Sequence, residues 1–186
     1  MKKLISIIFV IGLMLSFTKS VNADNIAGSS AVMKKYINDP TIYDKKRIFK
    51  IKKTIRNVLE KYNSPLASQV DSFVDACQTY DLDCYLLPSI AGLESTFGRF
   101  IWPNSNNPFG WGGGMIMFDD WNKGILIVAK GLRNNYINKG AESLEDIGHI
   151  YSESSTWTIR VQYFIQEFRN EESNLQLFLS KNEVQL

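Results

Sequence analysis

Histidine occurs once in the 186 residues, as His149, which excludes a zinc site built from several histidines. No strand leads into a G-x-G-x-x-G turn, and no G-x-x-x-x-G-K run ends in Ser or Thr, so a nucleotide phosphate has no cradle. Neither a metal nor an organic cofactor is expected. Cysteine is scarce too, with only Cys77 and Cys84. Beyond Phe17 no apolar run approaches the length of a membrane span. What remains is ordinary for a packed chain: 45% of residues are hydrophobic and 12% aromatic, enough for one core of domain size.

The first residues read as an address rather than as fold. Lys2 and Lys3 precede an apolar run from Leu4 to Phe17, and Val21-Asn22-Ala23 offers small residues at the −3 and −1 positions of a cleavage site. This pattern predicts a secretory signal peptide over 1–23, cleaved after Ala23, and a protein secreted to the cell envelope, periplasm or cell wall. Cleavage removes Lys2, Lys3 and Lys19, leaving 18 basic residues against 19 acidic, a net charge of −1. The charge is uneven: 9 basic and 4 acidic residues lie in 24–60, and 9 basic and 15 acidic in 61–186. An exported chain of this balance is not expected to bind nucleic acid. Its basic segment could meet an anionic polymer. No stable membrane span is expected after cleavage, and the chain is expected to be a monomer.

Export permits a disulfide, and Cys77 and Cys84 flank Tyr80-Asp81-Leu82-Asp83, a plausible link between two helices. A bridge there would pin the start of one helix to the end of the other.

The periodicity is mostly helical. After a loose arm over 24–42, residues 44–62 form an amphipathic helix with Ile48, Ile51, Ile55, Val58, Leu59 and Tyr62 on one face and Lys46, Lys50 and Lys53 opposite. Ser64 and Pro65 read as N-cap and first position of a second helix reaching about Tyr80. Its inward residues are Leu66, Val70, Phe73, Val74 and Cys77. Asp83 caps a third helix from Cys84 to about Phe97, closed by Gly98. Residues 99–118 lack a long period, and Met115-Ile116-Met117-Phe118 reads as one short strand. Asp119 or Asp120 opens a long helix to about Ile137, apolar nearly all round. Its Gly124 and Gly131 describe a central helix closely packed by another. Ser143 and Asp146 form a capping box for a helix ending at Tyr151. A last helix starts near Thr156, and the polar tail 171–186 is expected to fray.

Glu94 breaks the pattern. At 100° per residue it falls inside the apolar arc of the third helix, between Ile90 and Leu87. A carboxyl aimed at the core favours its protonated form, the form a general acid needs. The competing reading is a structural ion pair with Arg99 or Arg133. The next segment, Arg99 to Gly114, combines Phe100, Trp102, Phe109 and Trp111 with Asn, Pro and five glycines counted from Gly98. Aromatic faces among glycines that admit a ligand to the backbone suit sugar binding; rings that merely seal a loop are the plainer alternative.

Residues 80–98, Tyr-Asp-Leu-Asp-Cys-Tyr-Leu-Leu-Pro-Ser-Ile-Ala-Gly-Leu-Glu-Ser-Thr-Phe-Gly, resemble the catalytic helix of lysozyme-like cell-wall glycosidases. Asn106-Asn107-Pro108-Phe109-Gly110-Trp111 resembles the asparagine–phenylalanine–glycine segment of bacterial N-acetylglucosaminidases, and Ile150-Tyr151-Ser152-Glu153 with Trp157 resembles their later tyrosine motif. That motif carries an aspartate where this chain has Ser154. The resemblance covers roughly 64–169 and implies a mostly α, lysozyme-like α+β fold: a helical bundle around a central helix, with a small β or loop lobe walling the cleft. The implied domain spans 63–170, after an N-terminal arm and basic helix over 24–62.

The resemblance further implies cleavage of β-1,4 bonds in peptidoglycan glycan strands, with Glu94 as general acid and Tyr151 as a second catalytic residue. Asn107, Phe109, Gly110, Trp111 and Trp157 would bind substrate. No second carboxylate is fixed; Asp119, Asp120 and Glu153 are candidates. A single acid suits substrate assistance, in which the sugar's 2-acetamido carbonyl attacks the anomeric carbon. Water then completes hydrolysis, whereas attack by the 6-hydroxyl would make the chain a lytic transglycosylase. A non-catalytic peptidoglycan-binding module would keep the groove without turnover. A cysteine peptidase using Cys84 and His149 is disfavoured, because His149 faces away from its helix's apolar side and Cys84 has a disulfide partner at hand.

Overall fold

The computed structural model describes residues 45–183. The expected signal peptide over 1–23 and the expected arm over 24–42 lie outside the described residues. Six α-helices make up most of the rest: α1 (Lys45–Lys61), α2 (Val70–Thr79), α3 (Leu86–Ser95), α4 (Trp121–Asn135), α5 (Leu144–Tyr151) and α6 (Trp157–Glu183), with 3-10 helices at Pro65–Gln69 and Ile137–Lys139. There is no strand among the described residues, and no helix among them is long and apolar enough to cross a membrane.

Local chemistry sets the boundaries. Ser64 accepts a hydrogen bond from the Leu66 N–H and starts the 3-10 turn with Pro65 at its head. Asp120 accepts from the Lys123 N–H at the start of α4. Ser143 and Asp146 form the reciprocal capping box of α5. Asp83 accepts from the Tyr85 N–H at 2.9 Å ahead of α3, and its other oxygen meets Arg169 of α6 at 2.6 Å.

The helix most enclosed by its neighbours is α3, not α4. Every residue from Leu86 to Gly92 is buried, with α6 packed along it. The long helix α4 is amphipathic instead: Gly124, Ile125, Val128, Ala129 and Leu132 are buried and Ile127 is exposed. Its glycines do not seat another helix. A Cβ on Gly124 would lie 2.8 Å from the Phe118 ring, and one on Gly131 would lie 2.5 Å from the Trp111 ring. The expected central helix is therefore the bed for the 99–118 loop.

That loop contains no strand. Met115, Ile116 and Met117 are exposed, so the alternation a half-buried strand requires never develops, and only Phe118 turns inward. Side chains organise the segment. Asn107 donates to the carbonyls of Trp111 and Ile116 and accepts from the Trp111 N–H, closing two turns with one buried amide.

Helix α1, read from sequence as part of an N-terminal segment, contributes Ile51, Ile55, Val58 and Leu59 to the same core as the rest. Three of its six lysines are engaged in ion pairs. Lys50 pairs with Glu172, Lys52 with Asp71 and Lys61 with Glu167. Two of those partners sit on α6, which continues past Asn170 to Glu183 rather than fraying at 171. Asn57 adds a hydrogen bond to Glu171 at 2.7 Å, so α1 zips the distal half of α6 in place.

Candidate active site

Glu94 occupies the last turn of α3, and its position corrects the helical-wheel reading. The side chain is exposed rather than buried. The helix ends at Ser95, at the rim of the core, so the arc that buries Leu86, Leu87 and Ile90 no longer implies burial one turn later. Leu93 on the same turn is only half-buried. Neither proposed ion-pair partner is engaged with Glu94. Arg133 donates to the carbonyls of Tyr80 and Asp81, and the Arg99 guanidinium reaches the Tyr62 carbonyl.

The Glu94 carboxylate is held from a distance in sequence. The Trp157 indole N–H donates to Oε1 at 2.8 Å. Oε2 faces Gly110, where an added Cβ would stand 3.0 Å away. Gly110 has φ +61°, a backbone shape that a β-branched residue resists.

An aromatic group supports this carboxylate. Trp157 and Tyr151 rings stack at 4.9 Å, and Trp111 stands 5.7 Å from Tyr151 and 6.0 Å from Tyr136. The Tyr151 hydroxyl donates to the Phe109 carbonyl at 2.6 Å, so Tyr151 fixes the peptide immediately before Gly110. Burial, and after it the charge of Glu94, pushes the Tyr151 phenol well above its ordinary value of 10.0, so it stays a hydrogen-bond donor at neutral pH.

Ser95, which follows Glu94 in the Glu-Ser pair, ties the loop to the helix. Its hydroxyl donates to the Pro108 carbonyl at 2.7 Å and accepts from the Gly98 N–H at 2.8 Å. The loop is thereby fastened to the end of α3 one residue from Glu94. Between them the chain reverses through Thr96, Phe97 and Gly98, all with positive φ. The Ser64 hydroxyl braces that reversal by donating to the Phe97 carbonyl.

Several residues expected to touch substrate have buried side chains. Phe109 is fully buried, because its ring enters the core while its carbonyl serves Tyr151. Asn107 is buried and spends its amide on the loop. Trp157 is 3% exposed and reaches the site only through its N–H. Gly110 and Trp111 are half-buried beside the carboxylate and its aromatic support. Of the candidate second carboxylates, Asp120 caps α4 and Asp119 pairs with Lys123, which holds its carboxyl below the ordinary value of 3.8. Glu153 is exposed beyond the end of α5. His149 is exposed, and Cys77 and Cys84 are joined in a disulfide, which leaves no thiol for a peptidase.

No protein-family model matches the chain, and no curated protein matches it.

Proposed function

We propose that this protein is a peptidoglycan hydrolase that cleaves β-1,4 glycosidic bonds of cell-wall glycan, with Glu94 as general acid. One observation carries the reading. An exposed carboxylate at a helix end is gripped on one oxygen by a buried indole and left clear on the other by a glycine with positive φ. Holding a carboxyl at a surface in one orientation costs side-chain entropy, and a surface ion pair would need no such grip. A positioned acid does need it, since proton transfer depends on hydrogen-bond geometry at the leaving oxygen.

The motif resemblance over 80–98 and 106–111 supports the same class of substrate. Asp119 and Asp120 already serve Lys123 and the α4 cap, and Glu153 stands exposed beyond α5, which favours a mechanism with one protein carboxyl. The 2-acetamido carbonyl of the sugar attacks the anomeric carbon while Glu94 protonates the departing oxygen. Water then opens the intermediate, and Glu94, now ionised, takes its proton. Tyr151 acts through the Phe109 carbonyl, holding Gly110 where a bulkier residue would obstruct the sugar.

Incubation with purified peptidoglycan sacculi tests the reading. New reducing ends, released by wild type and not by Glu94→Gln, are the expected result. Anhydro products, lighter by one water, would assign the transglycosylase outcome to the same site. Binding to sacculi without release of fragments would make the chain a wall-binding module.

A further inference from the structure

Trp157 stands 63 residues from Glu94 in sequence and has almost no surface of its own, yet its one polar atom meets Glu94 Oε1 at 2.8 Å. An indole N–H donates and cannot accept. When Glu94 carries a proton, its two oxygens differ: the carbonyl oxygen is the better acceptor and the hydroxyl oxygen the poorer one. A donor fixed on Oε1 therefore makes Oε1 the carbonyl and leaves the proton on Oε2.

Oε2 is the oxygen facing Gly110, and glycine is the residue that leaves it uncovered. The two features do one job. Trp157 decides which oxygen is protonated, and Gly110 keeps that oxygen open. The indole cannot turn away, because it is stacked on Tyr151, which is itself tied to the Phe109 carbonyl. Gly148 also packs against it, since a Cβ there would lie 3.0 Å from the ring.

We propose that Trp157 is a positioning residue that confines the Glu94 proton to Oε2, the oxygen presented beside Gly110. The functional part of this inference rests on the reading of Glu94 as a general acid; the placement of the proton does not. In the forward step the Oε2–H bond breaks, its proton forms a bond to the leaving glycosidic oxygen, and the electron pair stays on the carboxylate.

Two variants remove the N–H. Trp157→Phe keeps a stacking ring, and the benzothienyl isostere of tryptophan installed at position 157 keeps the whole shape. Infrared difference spectra between wild type and Glu94→Gln at acid pH isolate the carbonyl stretch of protonated Glu94. Loss of the donor on Oε1 should raise that frequency, and an unchanged frequency overturns the placement. On sacculi, kcat should fall roughly 10- to 100-fold with KM within about twofold, the split expected for a group that acts only in the transition state. An unchanged kcat, or a loss confined to KM, overturns the positioning role. If Glu94→Gln keeps full activity while the frequency shift is seen, the catalytic reading fails and the placement of the proton stands.

Discussion

The rings of Trp157 and Tyr151 lie 4.9 Å apart at an interplanar angle of 27°, and each carries its single polar group to a different wall of the same site. The indole serves the carboxyl of α3, and the phenol serves the loop opposite. Two aromatic residues from consecutive helices thus couple the carboxyl to the glycine beside it.

Glu94→Gln should lower turnover by at least about 10²-fold, the scale of general acid catalysis, while circular dichroism and melting temperature stay near wild type. The fold is expected to tolerate the change because the side chain is exposed and an amide oxygen can still accept from Trp157.

Tyr151→Phe should cost both activity and stability. The hydroxyl is bonded to a main-chain carbonyl of a buried residue, so its loss leaves that acceptor without its donor and destabilises by about 1–2 kcal/mol. Denaturant titration measures this. No change in midpoint would show that the Phe109 carbonyl does not depend on Tyr151.

Gly131→Ala tests the seat of the loop on α4. The new Cβ would meet the Trp111 ring at 2.5 Å, and overpacking of this kind costs roughly 1–3 kcal/mol. Intrinsic tryptophan fluorescence should shift along with the melting temperature, and the fluorescence shift should be absent in a Trp111→Phe background. At an exposed helical glycine the same substitution would stabilise instead.

The Cys77–Cys84 bridge closes a short loop, with a sequence separation of 7. The loop-entropy account gives about 2–3 kcal/mol for a closure of this length. Replacing both cysteines by serine should lower stability by that order in denaturant titration. Free-thiol titration of the native protein should find no reactive thiol.

Asp146 supplies the pH dependence of α5. The Ser143 hydroxyl first, and then the Glu142 and Ser143 amides, hold its carboxyl below the ordinary value of 3.8. A depressed folded-state value means that the contribution is present above 3.8 and lost as pH falls through the lower value. Asp146→Ala should cost about 1 kcal/mol at neutral pH, typical of a lost helix cap, and the gap to wild type should close under acid.

Much of the frame was legible in the sequence because it is written in local chemistry. Asp120 and the pair Ser143 and Asp146 cap the helices they were expected to cap, since a cap needs only residues two or three apart, whereas Ser64 with Pro65 starts a 3-10 turn and α2 follows only at Val70. The cysteine pair was legible for the same reason. The environment of Glu94 was not. Its angle on the helix was read correctly, but where the core ends depends on α6, and no periodicity in α3 reports that. The burial of Phe109 was not legible, because a ring in a Gly-rich loop has two destinations, solvent or core, and the choice depends on how α4 seats the loop. The partners of Trp157 and Asn107, two buried residues, lie across the fold or across a turn, which no local pattern reports.

The reversal through Thr96, Phe97 and Gly98 has a bearing on how this protein can change. Two successive residues with side chains sit at φ 50° and 58°, one of them β-branched, and such positions typically carry about 1–3 kcal/mol of strain each. The Ser64 and Ser95 hydroxyls brace that shape, and the buried Phe97 ring anchors it against Tyr62, Phe164 and Phe168. Thr96→Asn or Thr96→Gly is therefore an open road to a sturdier protein, and a library screened for heat resistance should enrich there. The same substitutions alter the bend that carries the peptide from Glu94 toward Gly110, so on the reading of Glu94 as a general acid, survivors of a heat screen at position 96 should turn over sacculi more slowly than the parent.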